Sequence, residues 1–146
     1  MMWKQIDHSN EERATRVILL AEDDTEMRTL LSQALRQQGY VVAECSDGGQ
    51  LISRLERLIN CCDPVEYDLI ISDIRMPGIT GMEVVEGLVT NENCPPIILI
   101  TAFGDAETHR RARELGVHRI FDKPFEISAL LLAIRDVIAP PSNGAR

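Results

Sequence analysis

Five short apolar runs, each followed by a stretch with helical spacing, constrain this chain more than any other feature. The clear runs are Val17-Ile18-Leu19-Leu20-Ala21, Val41-Val42-Ala43, Leu69-Ile70-Ile71 and Ile97-Ile98-Leu99-Ile100. A weaker one is Arg119-Ile120-Phe121. Runs that are apolar at every position suit strands covered on both faces of a parallel sheet. Between them, Met27, Leu30, Leu31, Ala34 and Leu35 keep the spacing of one helix face, and Gly39 stands where a helix-ending glycine belongs. Leu51, Ile52, Leu55, Leu58 and Ile59 repeat the pattern; Val84, Val85, Leu88 and Val89 make a shorter one. Residues 105–115 are predicted helical but weakly apolar, and Ile127, Leu130, Leu131, Ile134, Val137 and Ile138 form the last face. Strand and helix thus alternate five times, which predicts an α/β fold with a doubly wound five-stranded parallel sheet, five helices and right-handed crossovers.

At 146 residues this is one domain's worth of chain, long enough to bury a core without disulfides or structural metals. We place the domain at 17–138, between a flexible N-terminal tail (1–16) and a disordered C-terminal tail (139–146) that opens with Pro140 and Pro141. Residues 60–66, with Pro64, read as a loop. The net charge of −8 argues against direct nucleic-acid binding, which wants a basic footprint. Cys45, Cys61, Cys62 and Cys94 form neither a C-x-x-C pair nor a zinc-spaced cluster. There is no signal-peptide pattern and no run long enough for a membrane span. The expectation is a cytoplasmic protein with free thiols.

Ligands of open α/β sheets bind beyond the C-terminal strand ends. Glu22, Asp23 and Asp24 follow the first run; the third ends in Ser72-Asp73, the fourth in Thr101-Ala102, and the fifth leads to Lys123-Pro124. Crowded carboxylates repel, and a divalent cation relieves that cost; oxygen-only ligands suit Mg²⁺. A carboxylate can also act as nucleophile toward phosphorus, with a metal, a cation and a hydroxyl stabilising the phosphoryl oxygens. Asp73, Lys123 and Thr101 match those roles. His8, His109 and His118 are expected on the surface, off this edge.

These residues resemble the receiver domain of two-component response regulators. The matching motifs are Leu20-Ala21-Glu22-Asp23-Asp24 with Met27-Arg28, the stretch from Asp68 through Asp73 to Pro77-Gly78 with Gly81, then Thr101-Ala102-Phe103-Gly104-Asp105, and Lys123-Pro124-Phe125. The resemblance implies a flavodoxin-like strand order 2-1-3-4-5. It implies that Asp73 accepts a phosphoryl group from a histidine kinase or phosphotransfer protein. Glu22, Asp23, Asp73 and the backbone carbonyl of Arg75 would hold Mg²⁺, while Thr101 and Lys123 contact the phosphoryl oxygens. Beyond this phosphotransfer and its slow self-hydrolysis, no enzyme activity is implied. The 105–138 face is the expected surface for a homodimer mate or effector. Lys123-Pro124 is expected to be cis.

Some positions depart from the family's pattern. Glu22 stands where many members carry Asp. Ile120 replaces the usual Tyr or Phe of the switch and is read as packing. Asp24 is assigned to a helix N-terminus. Arg75 and Phe103 are expected to cover part of the pocket and so tune phosphoryl loss. The basic run His109, Arg110, Arg111 and Arg113 is either a partner surface or a solvated helix face. Two other functions remain in view. A haloacid-dehalogenase-like phosphatase also uses a nucleophilic Asp with Thr, Lys and Mg²⁺, but carries a second Asp where this chain has Arg75. A phosphorylation-independent adaptor would not need the full set of Glu22, Asp23, Asp73, Thr101 and Lys123. Whether the receiver stands alone or belongs to a longer regulator is open at this level.

Overall fold

The computed structural model describes residues 15–60, 66–76, 79–90, 94–102 and 104–141. The readings made for Cys61, Cys62, Pro77, Gly78 and Phe103, and for most of both tails, lie outside these residues. The main strands are β1 (Val17–Ala21), β2 (Val41–Cys45), β3 (Leu69–Asp73), β4 (Ile97–Thr101) and β5 (Arg119–Asp122). The helices are α1 (Thr25–Gln37), α2 (Gly48–Ile59), α3 (Gly81–Leu88), α4 (Ala106–Glu114) and α5 (Ile127–Val137). All pairings in the five-stranded sheet are parallel, in the order β2-β1-β3-β4-β5, as the resemblance implied. A short antiparallel ladder, Arg75–Met76 with Ile79–Thr80, leads from β3 into α3.

Four of the five helices, α1 to α4, begin where the sequence supplies a side-chain acceptor; α5, with Glu126 at its N-cap, has no side-chain cap. Asp24, Asp47 and Asp105 cap α1, α2 and α4 by accepting the backbone N–H of Met27, Gln50 and Thr108. Thr80 and Glu83 form a reciprocal capping box on α3. Gly39 and Gly116, at φ 98° and 90°, let the chain turn back to the sheet after α1 and α4.

The fully apolar strands serve two cores. Leu19, Ala21, Ile70 and Leu99 face the α2, α3 and α4 side, while Ile18, Leu20, Ile71 and Ile98 face α1 and α5. β3 and β4 are buried along their whole length, which explains why neither shows the alternation of a half-exposed strand. β5 is the exception: Arg119 and Asp122 are exposed, Ile120 joins the first core and Phe121 the second, so its sequence signal is weak. Leu20→Ala is expected to lower stability by about 2–5 kcal/mol in urea titrations, the usual range for emptying a closed core site. Leu132, 64% exposed on α5, makes the control: Leu132→Ala is expected to stay within about 0.5 kcal/mol.

Candidate functional site

Parallel pairing brings four strand ends to one edge of the sheet. Ala21 pairs with Ser72, Asp73 with Ile100, and Thr101 with Asp122. Glu22 therefore arrives beside Asp73, and Lys123 beside the end of β4. The Glu22 N–H continues the ladder to the Cys45 carbonyl at 3.0 Å, and the Lys123 N–H donates to the Thr101 carbonyl at 2.7 Å. The Lys123-Pro124 peptide is cis.

Glu22, Asp73 and Thr101 are buried, at 0%, 5% and 1% exposure. Lys123 Nζ donates to Asp73 Oδ2 at 2.8 Å and lies 3.1 Å from Glu22 Oε1. The Arg75 N–H donates to Asp73 Oδ1 at 3.0 Å, and the Asp24 N–H to Glu22 Oε2 at 3.0 Å. Glu22 Oε1 is sealed from solvent and, beyond this ion pair with Lys123, completes no hydrogen bond. Burial, reinforced by the charge of Asp73, pushes the Glu22 carboxyl up to about 7. Burial alone would favour neutral Lys123, but its bonds to Asp73 and Glu22 outweigh that and raise its pKa. Asp23 stays exposed, and one carboxylate oxygen from each of Glu22, Asp23 and Asp73 falls within 4.8 Å of the others. A cluster of hard oxygens with one buried acceptor left unbonded fits a divalent cation.

This arrangement lies between β1 and β3, where the chain changes the direction in which it adds strands. That is the position at which open α/β sheets bind ligands. The chain belongs to the response regulator receiver family. The family model, described as the response regulator receiver domain, matches residues 18–135. Response regulator RppA of Synechocystis is 33% identical over 118 residues, covering 81% of this chain and 48% of RppA. The chain thus spans about half the length of that relative. The non-phosphorylated HemR receiver domain from Leptospira biflexa superposes with a TM-score of 0.72 at 31% identity, covering 86% of this chain and 95% of HemR's. Response regulator TrrA from Thermotoga maritima, solved in complex with Mg²⁺-BeF, superposes with a TM-score of 0.71 at 25% identity, covering 85% of this chain and 100% of TrrA's.

The receiver's five expected side chains, from Glu22, Asp23, Asp73, Thr101 and Lys123, come from four strand ends to this edge. Arg75 is exposed and, with Thr101, lines an open cleft of about 360 Å³ that reaches Thr108 and Arg111 on α4. Ile120 packs half-buried in the α2, α3 and α4 core, on the strand face opposite Phe121, as its packing assignment anticipated. Asp24 is the N-cap of α1.

The structure adds residues to which the sequence assigned no role. Arg28 Nη1 donates to the Glu22 carbonyl at 2.8 Å, and its Nε donates to Glu44 Oε1 at 3.3 Å. Glu44 also accepts from Ser32 at 2.8 Å and pairs with Arg36 at 3.2 Å. The Ser32 bond and the Arg36 and Arg28 charges hold the Glu44 carboxyl below its ordinary range. One β2 carboxylate thereby clamps three turns of α1, and Arg28 extends the clamp to the backbone of the acidic loop. The Met27-Arg28 part of the motif was the available signal.

One expectation changes and one open choice narrows. His109 is partly exposed, as expected, but not off the site edge: its Nε2 lies 3.0 Å from Asp122 Oδ1, next to Lys123. The basic run of α4 is largely neutralised within the protein, because Arg110 pairs with Glu107 and Glu114, and Arg111 with Glu86 of α3. Burial raises the pKa of the Cys45 and Cys94 thiols, which keeps them in the less reactive protonated form.

Glu22 supplies a pH test. Its native pKa of about 7 stands above the unfolded value of 4.5, so the native state binds the extra proton between them. Without divalent metal, its contribution is therefore full below pH 4.5 and lost as pH rises through 7. Glu22→Gln, which stays neutral, is expected to remove this part of the decline in melting temperature across that window. Identical pH profiles for the two proteins would contradict the assignment.

Proposed function

We propose that this receiver accepts a phosphoryl group on Asp73 from a phosphohistidine of a kinase or phosphotransfer protein, with Mg²⁺ held by Glu22, Asp23, Asp73 and the Arg75 carbonyl. The observation that carries the reading is the buried Asp73 carboxylate, bonded to Lys123 at 2.8 Å and beside an acidic cluster that fits a divalent cation. A bound Mg²⁺ supplies positive charge opposite the phosphoryl oxygens. A carboxylate of Asp73 attacks phosphorus, the bond from phosphorus to the donor nitrogen breaks, and that nitrogen keeps the electron pair. Lys123 is close enough to transfer its ammonium bond from Asp73 to a phosphoryl oxygen. The Thr101 hydroxyl is the matching donor from β4.

The structural relative TrrA was solved in complex with Mg²⁺-BeF, which supports a magnesium-dependent phosphoryl site for this fold. The acidic charge and the neutralised α4 face favour a protein partner over nucleic acid for this domain, and the 105–138 face is the proposed output surface. The setting is cytoplasmic, where the donor kinase presents its phosphohistidine. Turnover of phosphoesters is disfavoured because the second residue after Asp73 is Arg75, which cannot serve as the general acid of a phosphatase.

Incubation with acetyl phosphate and Mg²⁺ is expected to add one phosphoryl mass to the protein. Asp73→Asn is expected to abolish that mass shift, and chelation of Mg²⁺ to suppress it. Labelling that survives in Asp73→Asn, followed by peptide mapping to another residue, would overturn the site. Slow self-hydrolysis should then return the free protein. Arg75→Ala, by opening the cleft to water, is expected to shorten the phosphorylated half-life measured by phosphate-affinity electrophoresis.

A further inference from the structure

α4 is held to the body by little apolar surface. Ala112 is its buried residue, and Leu115 packs partly against the core just beyond its end. Among the described residues, side-chain polar contacts reach from it to other elements through Arg111 to Glu86 on α3 and through His109 to Asp122 at the end of β5. The second contact lies against the phosphoacceptor site. Asp122 pairs in register with Thr101 and immediately precedes Lys123, whose N–H is bonded to the Thr101 carbonyl. The loop between β4 and α4 crosses directly over it. A Cβ on Gly104 would overlap the Asp122 carboxylate and come within 2.8 Å of His109 Nε2 and 2.9 Å of Thr101 Cγ2. Thr101, Gly104, His109 and Asp122 are therefore one packed group.

We propose that His109 and Asp122 are a positioning pair that ties the placement of α4 to the state of Asp73. The inference rests on the phosphoacceptor reading above. In the arrangement seen here, Lys123 is bonded to Asp73, and the pair draws α4 onto the residue next to Lys123. A phosphoryl group on Asp73 brings new acceptors for Lys123 and Thr101. Both are joined through the β4–β5 ladder to Asp122, so their shift strains the contact with His109. The pair thus favours the unphosphorylated arrangement. Ile120 has no hydrogen-bonding group, so an aromatic hydroxyl does not take this role at that position. The contact needs a proton on Nε2, present in one neutral tautomer and in the cation.

The test uses beryllium fluoride with Mg²⁺ as the probe of the phosphorylated arrangement. His109→Ala and Asp122→Ala are each expected to bind it about two- to fivefold more tightly, the scale of a partly exposed polar pair. The double variant should gain no more than either single one, because both remove the same contact. His109→Gln retains a donor near the Nε2 position and is expected to restore wild-type affinity. Gly104→Ala displaces the Asp122 carboxylate without deleting either partner and should tighten binding as well. Faster amide exchange in α4 should accompany each tightening. Unchanged affinities, or gains that add in the double variant, would overturn the coupling while leaving the phosphoacceptor reading intact. A wild-type protein that binds no beryllium fluoride in Mg²⁺ would refute both.

Discussion

The Lys123 ammonium between Glu22 and Asp73 is the contact on which the arrangement of the site depends. Two carboxylates are withdrawn from water at the end of a parallel sheet, and a third, Asp23, stands at its mouth. Uncompensated, such groups would be driven to the neutral form. Lys123 bonds Asp73 directly and pairs with Glu22, yet burial still holds the Glu22 carboxyl above its ordinary value. A divalent cation held by these carboxylates would relieve that cost.

The scaffold around this cluster meets the requirement with ordinary means. β1 and β3 are adjacent and parallel, so the residues after them meet without any loop reaching across. Arg28 holds the backbone of the acidic loop, and Glu44 anchors Arg28. The cores on both sheet faces keep the strand ends in place, while α4, with one buried apolar residue, is the least firmly seated helix flanking the site. A rigid acidic edge next to a polar-tethered helix is the physical arrangement a switch requires: one part fixes the chemistry and the other can respond to it.

Much of this was legible before any coordinates. The apolar runs marked every main strand, and Asp24, Gly39 and the spacing of α1 and α5 marked helix ends and faces correctly. Glu22, Asp23, Asp73, Thr101 and Lys123 were identifiable because a parallel sheet sends all its C-terminal ends to one edge. β5 was faint because its outer residues are exposed. The capping box of Thr80 and Glu83 starts α3 ahead of its apolar face, so periodicity alone placed that helix too late. The basic run on α4 could not be judged from charge spacing, because Glu86, which neutralises Arg111, comes from another helix.

The sequence by itself determined the fold class, the edge of the sheet proposed to carry the chemistry and the side chains gathered there. Those properties follow from local periodicity and from topology, which short segments encode. Only the tertiary structure decided that Glu22 is sealed from water with an unbonded oxygen, that Arg28 grips its backbone, and that His109 meets Asp122. Each of these depends on distance and desolvation between groups far apart in the chain. No pattern of residue types records how closely they approach or how much water remains between them.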